Sequence, residues 1–312
     1  KNANDIHVLT RLAELGERGS AIKEALYFWR RVRALEEGNL DAAMGIARVA
    51  RAIGDSEVAR LEAIKVLEGD STNQQAIVIF VDASQTPEET QEALDWLLAR
   101  QSELSSLAGY HRAVGNLRLR QGDTEAALEA LHEAETLVTE GAGVFIDLAN
   151  AYGIQGDIET ADGYFQKAIE ASDSNLMHRV RWARFQIGTD RREAGSAMLE
   201  QMARDEPQYT PAIGYLAQVK FEDGDYERAR SLIETALQET PNFLFGELLK
   251  NRLLLVDGDT QAAIDGFQDM AERFAKVPQV FYNLALAQLN ADQVSPAIGS
   301  LSTALRLATS YD

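Results

Sequence analysis

Apolar and polar positions along this chain follow the pattern of paired amphipathic helices. The pattern is interrupted at multiples of 34 residues by Gly-Asp dipeptides, which stand at Gly54, Gly122, Gly156, Gly224 and Gly258. Glycine ends a helix by adopting the left-handed conformation, and the aspartate that follows caps the next helix. The spacing therefore predicts two helices per repeat, joined by a Gly-Asp corner.

The same frame extends over the whole chain. A small residue stands five residues after each corner, at Ala25, Ala59, Ala93, Ala127, Ala161, Gly195, Ala229, Ala263 and Ala297. Corners without Gly-Asp fall at Ser20, Glu88, Asp190 and Asp292. The frame predicts nine repeats, 6–39, 40–73, 74–107, 108–141, 142–175, 176–209, 210–243, 244–277 and 278–311. Because repeats of this length stack on their neighbours, we expect residues 1–312 to form a single solenoid domain.

The third repeat is expected to build its corner differently. Thr86, Pro87 and Glu89 supply a cap, a first-turn proline and a capping-box acid. The preceding segment 77–81 is rich in β-branched residues, yet the frame predicts a helix there.

These repeats resemble the tetratricopeptide repeat (TPR) family, which carries apolar or small residues at repeat positions 4, 7, 8, 11, 20, 24 and 27. The repeat 142–175 carries the pattern at Phe145, Leu148, Ala149, Tyr152, Ala161, Phe165 and Ala168. The resemblance implies an all-α fold, a right-handed superhelical solenoid of antiparallel helix pairs. It also implies that the first helices line a concave groove that holds a partner.

The repeat 244–277 departs from the pattern. Glu247, Lys250 and Asn251 occupy positions that normally hold core residues. We therefore expect the first helix of this repeat to be rotated relative to the others. Trp29, Phe165 and Phe267 all stand at position 24 and are expected to be core residues.

Charge and composition narrow the possible partners. The chain carries a net charge of −19 and no cysteine. An acidic protein repels phosphate backbones, so nucleic acid is not expected as a partner. The sequence contains no run of 18 apolar residues, so we expect no membrane insertion.

The sequence contains no motif that predicts a reaction. Its histidines, His7, His111, His132 and His178, form no metal-binding pair, and no phosphate-binding or nucleophile motif occurs. We therefore predict no catalytic, cofactor-binding or metal-binding residues, and a protein that is not an enzyme.

The expected site is the groove. Its predicted lining contains seven arginines and five acids, so it carries an excess of two positive charges inside an acidic chain. Arginine suits carboxylates, which predicts another protein or peptide as partner, acidic or amphipathic and helical. The predicted partner-binding residues are Arg48, Arg51, Arg112, Asn116, Arg120, Asn150, Arg181, Arg184, Tyr215, Phe221, Arg252 and Tyr282.

Two features of this lining have alternative interpretations. The last three repeats offer an apolar stretch that includes Phe245, Leu248, Leu255, Val256, Leu286 and Leu289. This stretch either binds a partner helix or consists of core residues that a shifted register has brought into the list.

A clamp for a C-terminal carboxylate, as in some TPR proteins, would use Arg112, Asn116, Asp147, Met177 and Arg181. Asp147 would repel the carboxylate, so we reject this clamp.

Two further functions stay open. The array also resembles the periplasmic segments of bacterial exopolysaccharide exporters, which link polymer-modifying enzymes to an outer-membrane pore. If this resemblance holds, polysaccharide is a further possible ligand. The array could instead be the substrate-selecting repeat region of an enzyme whose catalytic domain lies elsewhere.

We expect a bacterial periplasmic or envelope location, with the cytoplasm as the alternative. The last helix is apolar and has no capping helix, which predicts a segment excised from a longer protein, or self-association through that end.

Overall fold

The computed structural model describes residues 4–19, 21–138, 141–172 and 175–309, and α-helices are the only regular secondary structure within these ranges. The contacts divide the chain into two compact units, which we call the N-terminal unit (residues 1–172) and the C-terminal unit (residues 173–312). Neighbouring helices in each unit pack as pairs.

The N-terminal unit contains five helix pairs and one short additional helix in its described residues. The pairs are α1 (Ile6–Arg18) with α2 (Ile22–Leu35), α3 (Leu40–Ala52) with α4 (Ser56–Gly69), α5 (Gln74–Ala83) with α6 (Pro87–Leu98), α8 (Ala108–Arg120) with α9 (Thr124–Thr136), and α10 (Ala142–Gln155) with α11 (Ile158–Glu170); α7 is Gln101–Leu104. The first helix of each pair begins at the first residue of a predicted repeat.

The C-terminal unit contains four helix pairs in its described residues. They are α12 (Leu176–Ile187) with α13 (Arg192–Asp205), α14 (Thr210–Glu222) with α15 (Tyr226–Glu239), α16 (Leu244–Val256) with α17 (Thr260–Arg273), and α18 (Pro278–Asn290) with α19 (Val294–Thr309). We number the helix pairs as repeats 1 to 9 in chain order, and position 1 is the first residue of each repeat.

The Gly-Asp corners have the predicted geometry. All five glycines have positive φ, between 76° and 89°. The backbone N–H of each aspartate donates to the carbonyl five residues earlier, as in the bond from Asp55 to Ala50 at 2.9 Å. Four of the aspartates also cap the second helix through their carboxylates, while Asp259 does not.

Corners without Gly-Asp are built in other ways. Asp292 adopts φ 59° in place of glycine. Thr86 and Glu89 form the predicted capping box around Pro87. At Asp190 the second helix starts without a side-chain cap, and Ser20 lies outside the described residues. Segment 77–81 is helical as predicted, since it lies within α5.

Two positions in the frame form the core. The small residues at position 20 are buried in every repeat. The side chains at position 24 are at most 2% exposed in repeats 1 to 8; they are Trp29, Ala63, Leu97, Leu131, Phe165, Leu199, Ile233 and Phe267. The core prediction for the aromatic residues at position 24 is therefore confirmed.

The expected rotation of α16 does not occur. Asn251 at position 8 is buried, as position 8 is in every other first helix. Gly266 makes room for it, because a Cβ at Gly266 would lie 2.3 Å from the Asn251 amide oxygen. Lys250 is exposed and Glu247 pairs with Arg273, so the charged residues lie at the edge of a helix in normal register.

Within the described ranges, no helix is both long and apolar enough to cross a lipid bilayer.

Candidate functional site

The first helices of successive repeats are neighbours within each unit, and their side chains form rows. In the C-terminal unit, α12, α14, α16 and α18 contact one another in that order. In repeats 7 and 8 the residues at position 9 face each other, as the hydrogen bond from Arg252 to Gln218 (3.3 Å) shows. The predicted lining residues therefore lie along two rows, one in each unit, and the two rows differ in chemistry.

The first junction of the N-terminal unit is joined by Arg48. Its guanidinium donates two hydrogen bonds of 2.9 Å to the Glu17 carboxylate of the preceding repeat. The indole N–H of Trp29 donates to the same carboxylate at 2.5 Å. Burial raises the pKa of Glu17, but the hydrogen bonds from Arg48 and Trp29 outweigh burial, and the pKa lies below its usual value. The carboxylate is therefore held ionised.

The next lining arginine is also engaged. Arg51 pairs with Asp82 of the third repeat at 3.2 Å, and both side chains are half exposed. A cavity of about 240 Å³ opens beside this pair, between α3, α5 and α8. It is lined by Arg51, Val78, Val81, Asp82, Gly109, Arg112, Ala113 and Asn116. Both arginines in this lining already have carboxylate partners.

Arg112 and Asn116 converge on Asp147 of the following repeat. Arg112 forms an ion pair with Asp147, and the Asn116 amide donates to the same oxygen at 3.1 Å. Asp147 is 9% exposed. Two residues of the rejected carboxylate clamp therefore hold the chain's own carboxylate, which occupies the place that a ligand carboxylate would need.

Arg120 forms hydrogen bonds to backbone carbonyls. Its guanidinium donates to the carbonyls of Val81 (2.5 Å) and Ser84 (2.7 Å) at the end of α5. The last carbonyls of a helix have no partner within the helix, so Arg120 acts as a cap for α5. Burial lowers its pKa, and Asp82 partly opposes this. Asn150, the remaining predicted residue of this unit, is exposed.

Each of the four junctions in the N-terminal unit is thus joined by a lining arginine that bonds to oxygen in a neighbouring repeat. We expected these arginines to be available to a partner, and we considered Asp147 only as a member of the rejected clamp and not as the ion-pair partner of Arg112. The sequence contained a spacing that could have indicated these pairs. The bonds Glu17–Arg48, Arg51–Asp82 and Asn116–Asp147 all join residues 31 positions apart. This row offers little net charge to a ligand.

A second cluster missed by the sequence analysis lies between α9 and α11. The Glu135 carboxylate accepts hydrogen bonds from Tyr164 (3.0 Å) and Lys167 (3.1 Å), and His132 lies 3.1 Å from it. Burial raises the pKa of Glu135, but these hydrogen bonds outweigh it and lower the pKa. Burial and the neighbouring carboxylate raise the pKa of Tyr164. The cluster joins repeats 4 and 5 away from the lining row.

The lining arginines of the C-terminal unit contact aromatic rings. The Arg184 guanidinium lies 4.5 Å from the ring centre of Tyr215, and that of Arg252 lies 4.5 Å from Phe221. Tyr215 in turn contacts Phe245, with ring centres 5.4 Å apart. Such stacking leaves the N–H edge of a guanidinium able to donate to a carboxylate.

Arginine charge in this row is not cancelled. Arg181 and Arg184 are exposed, and neither forms an ion pair with any residue in the described ranges. Burial lowers the pKa of Arg252, and Glu222 partly opposes this. Glu222 is itself paired with Arg192 at 3.0 Å. The row therefore presents positive charge on an acidic protein.

The far end of the row is apolar. Tyr282, Leu286 and Leu289 on α18 are 51%, 41% and 43% exposed, and Val256 on α16 is 43% exposed. Leu248 is only 4% exposed and packs into the core, so of the two interpretations of this stretch the core position holds for Leu248. We call Arg181, Arg184, Tyr215, Phe221, Arg252, Tyr282, Leu286 and Leu289 the C-terminal strip.

Comparison with known proteins supports the repeat assignment. Two tetratricopeptide repeat models match, one over residues 142–175 and the other over residues 190–249. No curated protein matches the chain. Among the described residues, no group of three or more His, Asp or Glu side chains is placed to hold a metal ion.

Several solved structures share the fold. Human IFIT1, solved as a dimer with m7Gppp-AAAA, is 15% identical with a TM-score of 0.57, over 92% of this chain and 68% of its own. The APC/C hetero-tetramer Cut9–Hcn1 is 15% identical with a TM-score of 0.54, over 92% of this chain and 56% of its own. TTC0263, a thermophilic TPR protein of Thermus thermophilus, is 18% identical with a TM-score of 0.51, over 59% of this chain and all of its own.

These likenesses show the fold and do not identify a ligand. Human IFIT1 was solved with m7Gppp-AAAA, so the expectation that nucleic acid is not a partner rests on charge alone and stays a prediction. TPR solenoids present extended surfaces to other proteins. Residues 142–175 and 190–249 are tetratricopeptide repeats, and the all-helical fold of the described residues is that of a TPR solenoid.

Proposed function

We propose that the C-terminal strip binds an acidic amphipathic segment of a partner protein. The observation that carries the proposal is that Arg184 and Arg252 stack on aromatic rings and form no ion pair within the described ranges, and that exposed apolar side chains follow along the same row. Carboxylates of the partner would bond to Arg181, Arg184 and Arg252. Its apolar face would lie on Tyr282, Leu286 and Leu289. The proposal involves no reaction.

The lining of the N-terminal unit has a different role in this proposal. Arg48, Arg51, Arg112 and Arg120 hold adjacent repeats together, because their donors already meet oxygen atoms. A ligand carboxylate would have to displace these bonds, with little net gain. The predicted partner-binding role is therefore proposed only for the residues of the C-terminal unit.

Binding can be tested with three synthetic helical peptides of about 18 residues, long enough to show helicity. They share one leucine face and differ only in carrying Glu, Gln or Lys on the flanking positions. Fluorescence anisotropy at about 50 mM and about 300 mM salt should rank the affinities Glu, Gln, Lys, with the steepest salt dependence for the Glu peptide. Equal affinity for the Glu and Lys peptides would contradict the proposal.

A matched pair of variants separates the strip from the general charge of the protein. Arg181→Gln with Arg184→Gln removes two charges from the strip. Arg204→Gln with Arg228→Gln removes two exposed charges from second helices of the same unit. We expect the first pair to weaken binding of the Glu peptide about tenfold, or about 1.4 kcal/mol, and the second pair to leave the affinity for this peptide unchanged. Equal effects would show that no specific site exists.

The exporter and enzyme-associated functions stay predictions, as does the periplasmic or envelope location. A cationic polysaccharide is disfavoured at the C-terminal strip, because the arginines there would repel it. An anionic or neutral polysaccharide can be added as a competitor in the same anisotropy experiment. Displacement of the Glu peptide by the anionic polymer alone would place the sugar on the strip.

A further inference from the structure

The last helix exposes position 24, which is buried in repeats 1 to 8, and position 21, which is buried or half-buried in those repeats. Position 24 is at most 2% exposed in repeats 1 to 8, but Leu301 at this position of repeat 9 is 37% exposed. Ile298 at position 21 is 59% exposed, whereas Ile264 at position 21 of repeat 8 is 1% exposed. The face of α19 that carries Ile298 and Leu301 therefore has the chemistry of a helix–helix interface, and nothing in the described part of the chain covers it.

The clusters at both ends of the chain show what covers this face in other repeats. Phe267 packs with Val280, Leu284 and Ala287 of α18. These three residues stand at positions 3, 7 and 10 of the following repeat.

The first two repeats have the same arrangement. Trp29 packs with Ala42, Ile46 and Val49 of α3, which stand at the same three positions. The approach is close, since a Cβ at Gly45 of α3 would lie 2.2 Å from the Trp29 ring. Position 24 is thus covered by positions 3, 7 and 10 of the next first helix.

The first helix of the chain exposes this complementary set. Val8, Leu12 and Leu15 stand at positions 3, 7 and 10 of α1, and they are 50%, 40% and 52% exposed. The equivalent residues of α3 are at most 4% exposed, and those of α18 at most 6%. The opposite face of α1 is buried normally, through Leu9 and Ala13. The chain therefore carries both halves of one inter-repeat interface on its own surface.

We propose that α1 of a second copy of this chain packs on α19, with Val8, Leu12 and Leu15 covering Ile298 and Leu301. The second copy is the occupant because the exposed residues of α1 match, position by position, those that cover this face inside the molecule. An interface between two different surfaces leaves one of each free, so association continues head to tail. This surface is separate from the C-terminal strip, which lies on the first helices.

The test uses sedimentation equilibrium from about 1 μM to about 200 μM, a range that reports micromolar affinity. For the wild-type chain we expect the average mass to rise with concentration from 34.4 kDa past that of a dimer. Ile298→Glu with Leu301→Glu blocks the α19 face, and Val8→Glu with Leu15→Glu blocks the α1 face. Each double variant alone should stay monomeric. Their equimolar mixture should form dimers and nothing larger, because only one pair of intact faces remains.

Three outcomes would overturn the proposal. The wild-type chain could stay monomeric throughout the range. The α1 variant could still associate alone, which would indicate contact between two α19 faces. Ile154→Glu, a control at an exposed isoleucine of α10 (64% exposed), could abolish association as fully as the others. Circular dichroism confirms that each variant keeps its helical content, so loss of association is separated from loss of fold.

Discussion

Each unit places arginines in the lining row of its first helices, but the two units use them differently. In the N-terminal unit, Arg48, Arg112 and Arg120 bond to carboxylates or carbonyls of neighbouring repeats. In the C-terminal unit, Arg184 and Arg252 lie on aromatic rings of the next or the preceding repeat. Arg48, Arg184 and Arg252 all stand at position 9 of their repeats, so for these three the difference lies in what the neighbouring repeat offers.

That difference separates a structural role from a binding role. An arginine bonded to a buried carboxylate cannot be removed without leaving that charge unpaired, which is strongly destabilising. An exposed guanidinium stacked on a ring contributes about 0.5–1 kcal/mol and keeps donors for a ligand. Substitutions of lining arginines should therefore affect stability in the N-terminal unit and affinity in the C-terminal unit.

The largest effect is expected for Arg112→Met. Asp147 would keep only its bond from Asn116 while remaining buried, and the N-terminal unit should lose about 2–3 kcal/mol of unfolding free energy. Urea denaturation followed by tryptophan fluorescence can report this unit alone. The background is Trp182→Phe, because the other tryptophans, Trp29 and Trp96, both lie in the N-terminal unit.

The control for this prediction removes both charges. Arg112→Met combined with Asp147→Leu leaves no unpaired carboxylate and should recover most of the loss. If the double variant is as unstable as the single one, the cost does not come from the stranded charge. The structural role assigned to Arg112 would then be wrong.

A somewhat smaller effect is expected for Glu17→Gln. The pKa of Glu17 is lowered in the folded protein, so its contribution is fully present above the usual value of 4.5 and is lost as pH falls below it. The variant should lose about 1–2 kcal/mol at pH 7. Its stability should also fall less steeply than that of the wild type below pH 4.5. Identical acid profiles for the two proteins would show that this carboxylate is not held by Arg48.

The smallest effect on stability is expected for Arg184→Gln. Loss of its contact with Tyr215 should cost less than about 1 kcal/mol, because the site is exposed. Urea denaturation followed by the fluorescence of Trp182, two residues before Arg184 on α12, measures this loss in a background that carries Trp29→Phe and Trp96→Phe. A loss as large as that of Arg112→Met would remove the contrast between the two units.

Much of the fold could be predicted from the sequence, because Gly-Asp corners and position 20 report backbone requirements that act locally. Gly54 needs positive φ and Ala25 needs close helix approach, and neither depends on distant residues. Segment 77–81 was assigned correctly as helix against its β-propensity because the repeat frame was used.

Whether a lining arginine is available to a partner depends on which groups of the neighbouring repeat it bonds to, and these bonded pairs were not predicted. Arg112 was predicted to be available because Asp147 was left outside the lining. Arg120 forms no ion pair with any described residue and bonds to carbonyls at the end of α5, which no side-chain pattern encodes. The predicted rotation of α16 was wrong for a similar reason. Gly266, fifteen positions after Asn251, provides the space in which Asn251 is buried, so α16 keeps the register of the other first helices.

Arginine side-chain NMR of the full chain, with Nε–H signals assigned by single Arg→Lys variants, tests the difference between the two arginine roles. Without peptide, we expect slow Nε–H exchange for Arg48 and Arg112, whose Nε–H groups bond to carboxylates, and fast exchange for Arg181 and Arg184. The Glu-bearing peptide should slow exchange at Arg181 and Arg184 and leave Arg48 and Arg112 unchanged. Fast exchange at all four residues in the free protein, or shifts confined to the N-terminal unit on adding peptide, would contradict it.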